Sequence, residues 1–258
     1  MTGYIAERLS PAERSLASPL GRTSPLVKLG VAIAWLLGLV FSVDARPPAV
    51  LALVALACGP LLGWIPVGRI VRGVAPLWAA AAGIALFNVV FAAANADPAL
   101  AEVARIGPLR ITGPALDAGL ALGTRVFAIA AVGVLFGQTT DSTRLADALV
   151  HQGRVSPRFA YGALAAFQAA PRFSEDLVAL RQARRIRGLR GGWHPRLLVG
   201  LLVQAIRHGD RLALAMDARA FGSGQRTMYR EVRWGREDVL VAIGGLACLV
   251  VVLLVPRL

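Results

Sequence analysis

Residues 158–225 read RFAYGALAAFQAAPRFSEDLVALRQARRIRGLRGGWHPRLLVGLLVQAIRHGDRLALAMDARAFGSGQ. The spacing predicts two helices that meet at Gly191-Gly192. Ser156-Pro157 starts the first, with proline at a favoured first helical position. Leu164, Phe167, Phe173, Leu177 and Leu180 then recur at near-helical spacing. Pro171 is expected to kink this helix. The helix turns basic at Arg181, Arg184, Arg185 and Arg187, and Gly188 with the glycine pair stops it. Pro195 opens the second helix, where Leu198, Leu201, Leu202, Ala205, Leu212 and Met216 form an apolar stripe. Arg207, Asp210, Arg211 and Asp217 fall on its other side, and Gly222-Ser223-Gly224 ends it. Each helix finishes in a small arginine-centred motif, Ile186-Arg187-Gly188 and Ala218-Arg219-Ala220.

This polar stretch sits in a chain of 258 residues that is 56% hydrophobic, above the 45–50% usual for a soluble domain. The excess is gathered into runs over 26–43, 49–65, 74–94, 115–137 and 239–255. Each is long enough for a helix to cross the ~30 Å hydrocarbon core, and helices satisfy their own backbone in lipid. The expected architecture is therefore an all-α, polytopic membrane protein with five spans. Its segments are a cytoplasmic N-terminal stretch (1–25), spans one to four (26–138), a cytoplasmic domain of long helices (139–238), and span five with the C-terminus (239–258). A formal charge of +13 is distributed unevenly. With the N-terminus inside, the inner segments hold Arg8, Arg14, Arg22, Lys28, Arg69, Arg72 and every arginine from Arg144 to Arg236. The outer ones hold Arg46, Arg105, Arg110 and Arg257. That bias predicts an N-in, C-out protein of the cell membrane. Thr140-Asp141-Ser142 can cap a short helix to His151, and Trp234 is placed as an interfacial anchor.

Several function classes fall away. Lys28 is the only lysine and lies in no glycine-rich loop, so a P-loop ATPase is excluded and any ATP-driven work needs another subunit to supply it. His151, His194 and His208 have no metal-ligand spacing, and Cys58 and Cys248 sit singly inside apolar runs. No metal or bound cofactor is expected. The basic stretch lacks the stacking aromatics of a nucleic-acid module.

The motifs resemble those of the transmembrane T component of energy-coupling factor (ECF) transporters, the group that includes the cobalt-transport permease family. Residues 183–188, Ala-Arg-Arg-Ile-Arg-Gly, are similar to the family's Ala-Gln-x-Ala-Arg-Gly. Residues 212–222, Leu-Ala-Leu-Ala-Met-Asp-Ala-Arg-Ala-Phe-Gly, are close to its Leu-Ala-x-Ala-Met-Glu-Ala-Arg-Gly-Phe. Ser24-Pro25-Leu26-Val27-Lys28-Leu29 resembles its Pro-x-x-Lys-Leu before the first span. Ile186 and Ala220 depart from the pattern, and both central arginines are kept. The resemblance implies a non-catalytic coupling subunit of an importer of a vitamin, a vitamin precursor, or cobalt or nickel ions. Two ABC-type ATPase subunits would use the ATP, and a small membrane substrate-binding subunit would capture the cargo. It also implies that Arg187, Gly188, Ala218, Arg219 and Ala220 contact the ATPases. A guanidinium fork beside small residues suits such docking. An arginine that only offsets a helix dipole is the plain alternative.

Other readings stay open from the residues alone. Arg181, Arg184, Arg185 and Arg190 either meet the ATPases or face anionic headgroups. The apolar stripes either pack the two helices together or offer a platform to a membrane partner, for which Ala163, Ala165, Ala166, Ala169 and Ala170 leave room. Arg125, with Asp117 and Asn88 as candidate partners, marks a polar site within the spans. It is the one foothold for the rival reading, a self-sufficient carrier or membrane enzyme.

Overall fold

The computed structural model describes residues 17–42, 44–107, 109–189, 194–222 and 234–254. They form a mostly helical chain: α1 (Pro19–Arg22), α2 (Pro25–Val40), α3 (Arg46–Leu62), α4 (Val67–Val90), α5 (Gly113–Thr139), α6 (Ser142–His151), α7 (Pro157–Ile186), α8 (Arg196–Ala218) and α9 (Arg236–Leu254). The all-α expectation needs one correction. The segment between α4 and α5, expected as a loop, carries an antiparallel hairpin of β1 (Glu102–Ile106) and β2 (Leu109–Thr112). Arg110 fixes it, with Nε 3.3 Å from Glu102 Oε2 and the guanidinium donating to the carbonyls of Asp97 and Leu100.

Among the described residues, three helical segments are long and apolar enough to cross a membrane: Val67–Ala96, Gly113–Thr139 and Arg236–Leu254. α2 and α3 are apolar but shorter, at 16 and 17 residues. α3 begins at Arg46, three residues before the apolar run, because prolines in a first turn forfeit no helical hydrogen bond. α4 likewise begins seven residues before the apolar run, with Pro66 at its N-cap and Arg69 and Arg72 in its opening turns.

The chain divides into two units, one of Met1–Leu145 with Arg233–Leu258 and one of Ala146–Val232. In the first, helix directions follow from the contacts. α2 and α9 run parallel: Ser24 meets Asp238, Gly245 faces Val31, and a methyl on Gly38 would lie 2.5 Å from Leu249 Cδ1. α3 and α5 also run parallel, Gly59 facing Leu135 and Gly63 facing Thr139. α4 runs against α5, with Gly73 on Val134, Gly123 on Ala85 and Gly119 on Val89. Ala115, Gly119 and Gly123 form a small-residue stripe along α5, and the α4 backbone comes so close that Ala85 O would lie 2.9 Å from a Cβ on Gly119. The core gathers Trp35, Leu39, Leu51, Ala128, Val132 and Leu249. Trp35 keeps its indole N–H satisfied on Gly245 O at 2.8 Å.

One end of this bundle is closed by buried polar groups that the sequence reading did not assemble. Lys28 Nζ donates to Thr139 O at 2.6 Å, at the last residue of α5. The Asp238 carboxylate accepts the Ser24 N–H at 2.5 Å and the Gly235 N–H at 2.8 Å. The latter is the return half of a capping box on α9. Arg144 donates to Gly21 O and Arg22 O. Gln138 reaches Arg69 O at the same end. At the opposite end Asn95 donates to the terminal carbonyls of α4 (Val89, Val90) and accepts from Thr112 N and Oγ1, locking α4 to the start of α5.

Candidate docking site

The second unit is built on α7 and α8. Ser156 caps α7 by accepting the Phe159 N–H, Asp141 accepts the Arg144 N–H at the start of α6, and His194 Nδ1 accepts the Arg196 N–H at the start of α8. α7 continues as one helix of 30 residues through Pro171. The two long helices pair in opposite directions. Gly200 packs on Leu180, and the Gln204 amide, oriented to donate, lies 3.2 Å from both Asp176 carboxylate oxygens. Arg158 donates to Gly222 O, and the Phe221 ring meets Tyr161 edge-on at 6.3 Å. This is an antiparallel hairpin. The loop expected at Gly191-Gly192 lies outside the described residues, as do Arg190 and residues 223–233.

Both arginine motifs end their helices in the same way. Arg187 is the C-cap of α7. Gly188 follows in the left-handed region (φ 71°), with its N–H on Arg185 O and the Leu189 N–H on Arg184 O. Arg219 is the C-cap of α8. Ala220 takes the left-handed position (φ 54°), with its N–H on Asp217 O and the Phe221 N–H on Met216 O. These are two Schellman motifs. The tight turn swings the chain off the helix axis directly after each arginine, and the Arg187 and Arg219 side chains are both exposed. Since the helices are antiparallel, the two arginines stand at opposite ends of the hairpin. With 23 residues in α8, they are separated by roughly 35 Å of helix.

The two ends differ in support. At the Arg219 end, Phe221 rests on Tyr161, whose hydroxyl donates to Asp147 Oδ1 at 2.8 Å. Burial, with the neighbouring Asp147 carboxylate, pushes the Tyr161 phenol up to about 12, so the donor stays protonated across the physiological range. At the Arg187 end, Ile186 is 87% exposed and Leu189 49% exposed. No hydrogen bond or ion pair holds the Arg187 guanidinium among the described residues.

A non-glycine residue at a left-handed C′ position costs roughly 1–2 kcal/mol. Ala220→Gly is therefore expected to stabilise the α8 terminus by about 1 kcal/mol. Hydrogen exchange of the 216–221 amides checks this, and should slow at that cap alone.

The apolar stripe on α8 is covered only in part by packing within the hairpin. α7 covers one side, where Leu197 is buried and Leu201, Gln204, Ala205, His208 and Leu212 are half-buried. Leu198, Val199, Leu202, Val203 and Ile206 are all exposed. At 100° per residue they lie on the side turned away from α7. Leu198 and Leu202 thus belong to an uncovered face, because one neighbouring helix cannot cover a stripe this wide. On α7, Phe159, Phe167, Val178 and Ile186 are exposed as well. Between the helices a groove of about 800 Å³ is lined by Arg172, Asp176, Gln204, Arg207, His208 and Arg211. Arg181 and Arg185 are exposed, and Arg184 is half-buried.

The polar site expected within the spans is only partly assembled. Arg125 and Asp117 line one cavity, and Arg125 Nη2 donates to Ser42 O. Asn88 does not line that cavity, and its amide donates to Ile84 O of its own helix. Among the described residues no group of His, Cys, Asp and Glu could hold a metal ion.

Residues 17–229 match the family described as CbiQ, cobalt transport protein. The energy-coupling factor transporter transmembrane protein EcfT of Heliobacterium modesticaldum is 28% identical, over 91% of this chain and 93% of its own length. EcfT of Limosilactobacillus fermentum is 26% identical over 86% and 87%, and that of Lactococcus lactis 26% over 88% and 89%.

Proposed function

This chain belongs to the CbiQ family of cobalt transport proteins and is a T-type transmembrane component of an ECF transporter, and on that premise we propose how it works. It is a coupling subunit without a catalytic residue of its own. Two ABC-type ATPase subunits dock on its two arginine-capped helix ends, one at Arg187-Gly188 and one at Ala218-Arg219-Ala220. ATP is bound and hydrolysed in those partners. A small substrate-binding membrane subunit supplies the specificity, for a vitamin, a vitamin precursor, or cobalt or nickel ions.

The observation that carries this reading is the pair of identical caps on one antiparallel hairpin. Two equivalent ends roughly 35 Å apart suit two copies of one partner fold, whereas a single binding patch would gather its arginines. The exposed face of Leu198, Leu202 and Ile206 supports a second, apolar contact for the membrane partner. The helix directions in the first unit support five passes. α2 parallel to α9 and α3 parallel to α5 is the pattern of alternating spans, with α2 and α3 crossing despite their length. The arginine bias then favours an inner N-terminus and an outer C-terminus.

Reconstitution tests the reading. In proteoliposomes this chain with its ATPases and substrate-binding subunit is expected to give ATP-dependent uptake, and omission of the ATPases to abolish it. Uptake by this chain alone would instead establish a self-sufficient carrier.

A further inference from the structure

α5 is 27 residues long and α4 24, about 36–40 Å, whereas α2 and α3 span about 24–26 Å. The short pair is level with the long pair at the end where Lys28 meets Thr139. Its connecting turn therefore stops well short of the other end, and the first three turns of α5 rise above it, covered by α4 but not by the short pair. Beside the step lies an open cavity of about 860 Å³, walled by Ser42 and Asp44 of the turn, Arg46 at the start of α3, and Asp117, Ala121 and Arg125 of α5.

The charges there are two guanidiniums and two carboxylates. A lone anion would meet Asp44 and Asp117, and a lone cation would meet Arg46 and Arg125. A ligand bearing both signs meets all four. Arg125 lies 14 residues from Thr139, about 21 Å along the helix and inside the ~30 Å core. An arginine at that depth needs partners. Ser42 O takes one N–H, while Arg125 Nε is buried with no partner among the described residues. A bilayer beside helices shorter than its core sinks to meet them, which brings headgroups down to this step. The cavity wall also carries exposed Val40 and Leu120, apolar surface for the acyl chains below a headgroup.

We propose that this cavity is a lipid site for an amine-bearing zwitterionic phospholipid, with the phosphate held by Arg46 and Arg125 and the ammonium by Asp44 and Asp117. An ammonium offers the two carboxylates N–H donors as well as charge, whereas a quaternary choline offers charge alone. The site is therefore selective for phosphatidylethanolamine over phosphatidylcholine, and the paired carboxylates turn away phosphatidylglycerol.

Native mass spectrometry of the full-length protein, released from nanodiscs of equimolar phosphatidylethanolamine, phosphatidylcholine and phosphatidylglycerol, tests this. The wild type is expected to retain one phosphatidylethanolamine about tenfold over either competitor. Asp44→Asn with Asp117→Asn leaves two arginines unopposed and should switch the preference to phosphatidylglycerol. That gain cannot arise from misfolding. Arg46→Gln should lower retention of both. Equal retention of the three lipids by the wild type, or an unchanged preference in the double aspartate variant, overturns the proposal. A protein partner seated on this face would produce that same lack of lipid selectivity.

Discussion

Charge reversal at both capped ends, Arg187→Glu with Arg219→Glu, is expected to abolish co-purification with the ATPases and with it ATP-dependent uptake. Arginine anchors at interfaces contribute about 2 kcal/mol or more each, so each single reversal should weaken docking roughly 30-fold. The double variant loses both contacts and adds repulsion wherever the partner presents carboxylates. Thermal unfolding of the isolated subunit separates this role from capping. An arginine that only offsets a helix dipole is worth about 0.3–1 kcal/mol. Were that its whole role, the variants would shift stability slightly and assemble normally. Intact assembly and uptake by the double variant would sink the docking assignment while leaving the family assignment untouched.

The second large effect is expected at the closed end of the bundle. Asp238 is 3% exposed and holds two backbone N–H groups, one across from α2 and one in its own helix cap. Asp238→Ala orphans both donors, and hydrogen bonds to a buried charge are worth about 1.5–3 kcal/mol each. A loss of about 3 kcal/mol or more should appear as a marked fall in Tm of the detergent-solubilised protein. Asp238→Asn keeps one acceptor oxygen and should recover part of it. Lys28→Met removes the donor to Thr139 O at nearly constant volume, and is expected to cost about 1–3 kcal/mol. A Tm unchanged in Asp238→Ala would show that water replaces the carboxylate and that the junction is open.

Particular residues explain how much of the fold is legible in the sequence. The apolar runs announce helices because lipid leaves the backbone no other partner, and Ser156, Pro157 and Pro195 mark helix starts through local chemistry alone. Arg187 and Arg219 were legible as motifs. Their shared geometry was not, since only Gly188 advertises a left-handed position and Ala220 adopts it without the glycine. The β1–β2 hairpin was missed because its eleven residues lack an Asn-Gly or Asp-Gly turn and strict alternation. The pairing of Lys28 with Thr139 spans 111 positions and that of Ser24 with Asp238 spans 214. Local periodicity says nothing about such contacts. A lone lysine near the start of an apolar run was the one available hint. Arg125 was singled out by its depth, but its partner is a backbone carbonyl, which no side-chain inventory can nominate. Whether the α8 stripe is covered stayed open for a related reason: a helical wheel gives the width of an apolar stripe and not how many neighbours share it.

Lys28 has one more consequence. It carries the only side-chain amine in the chain, and it is 6% exposed and spent on a carbonyl. Amine-directed reagents, including the succinimidyl cross-linkers used to map assemblies, will find no surface lysine on this subunit. Its interfaces will register instead with chemistries aimed at carboxylates or guanidiniums, of which the two helix ends offer plenty.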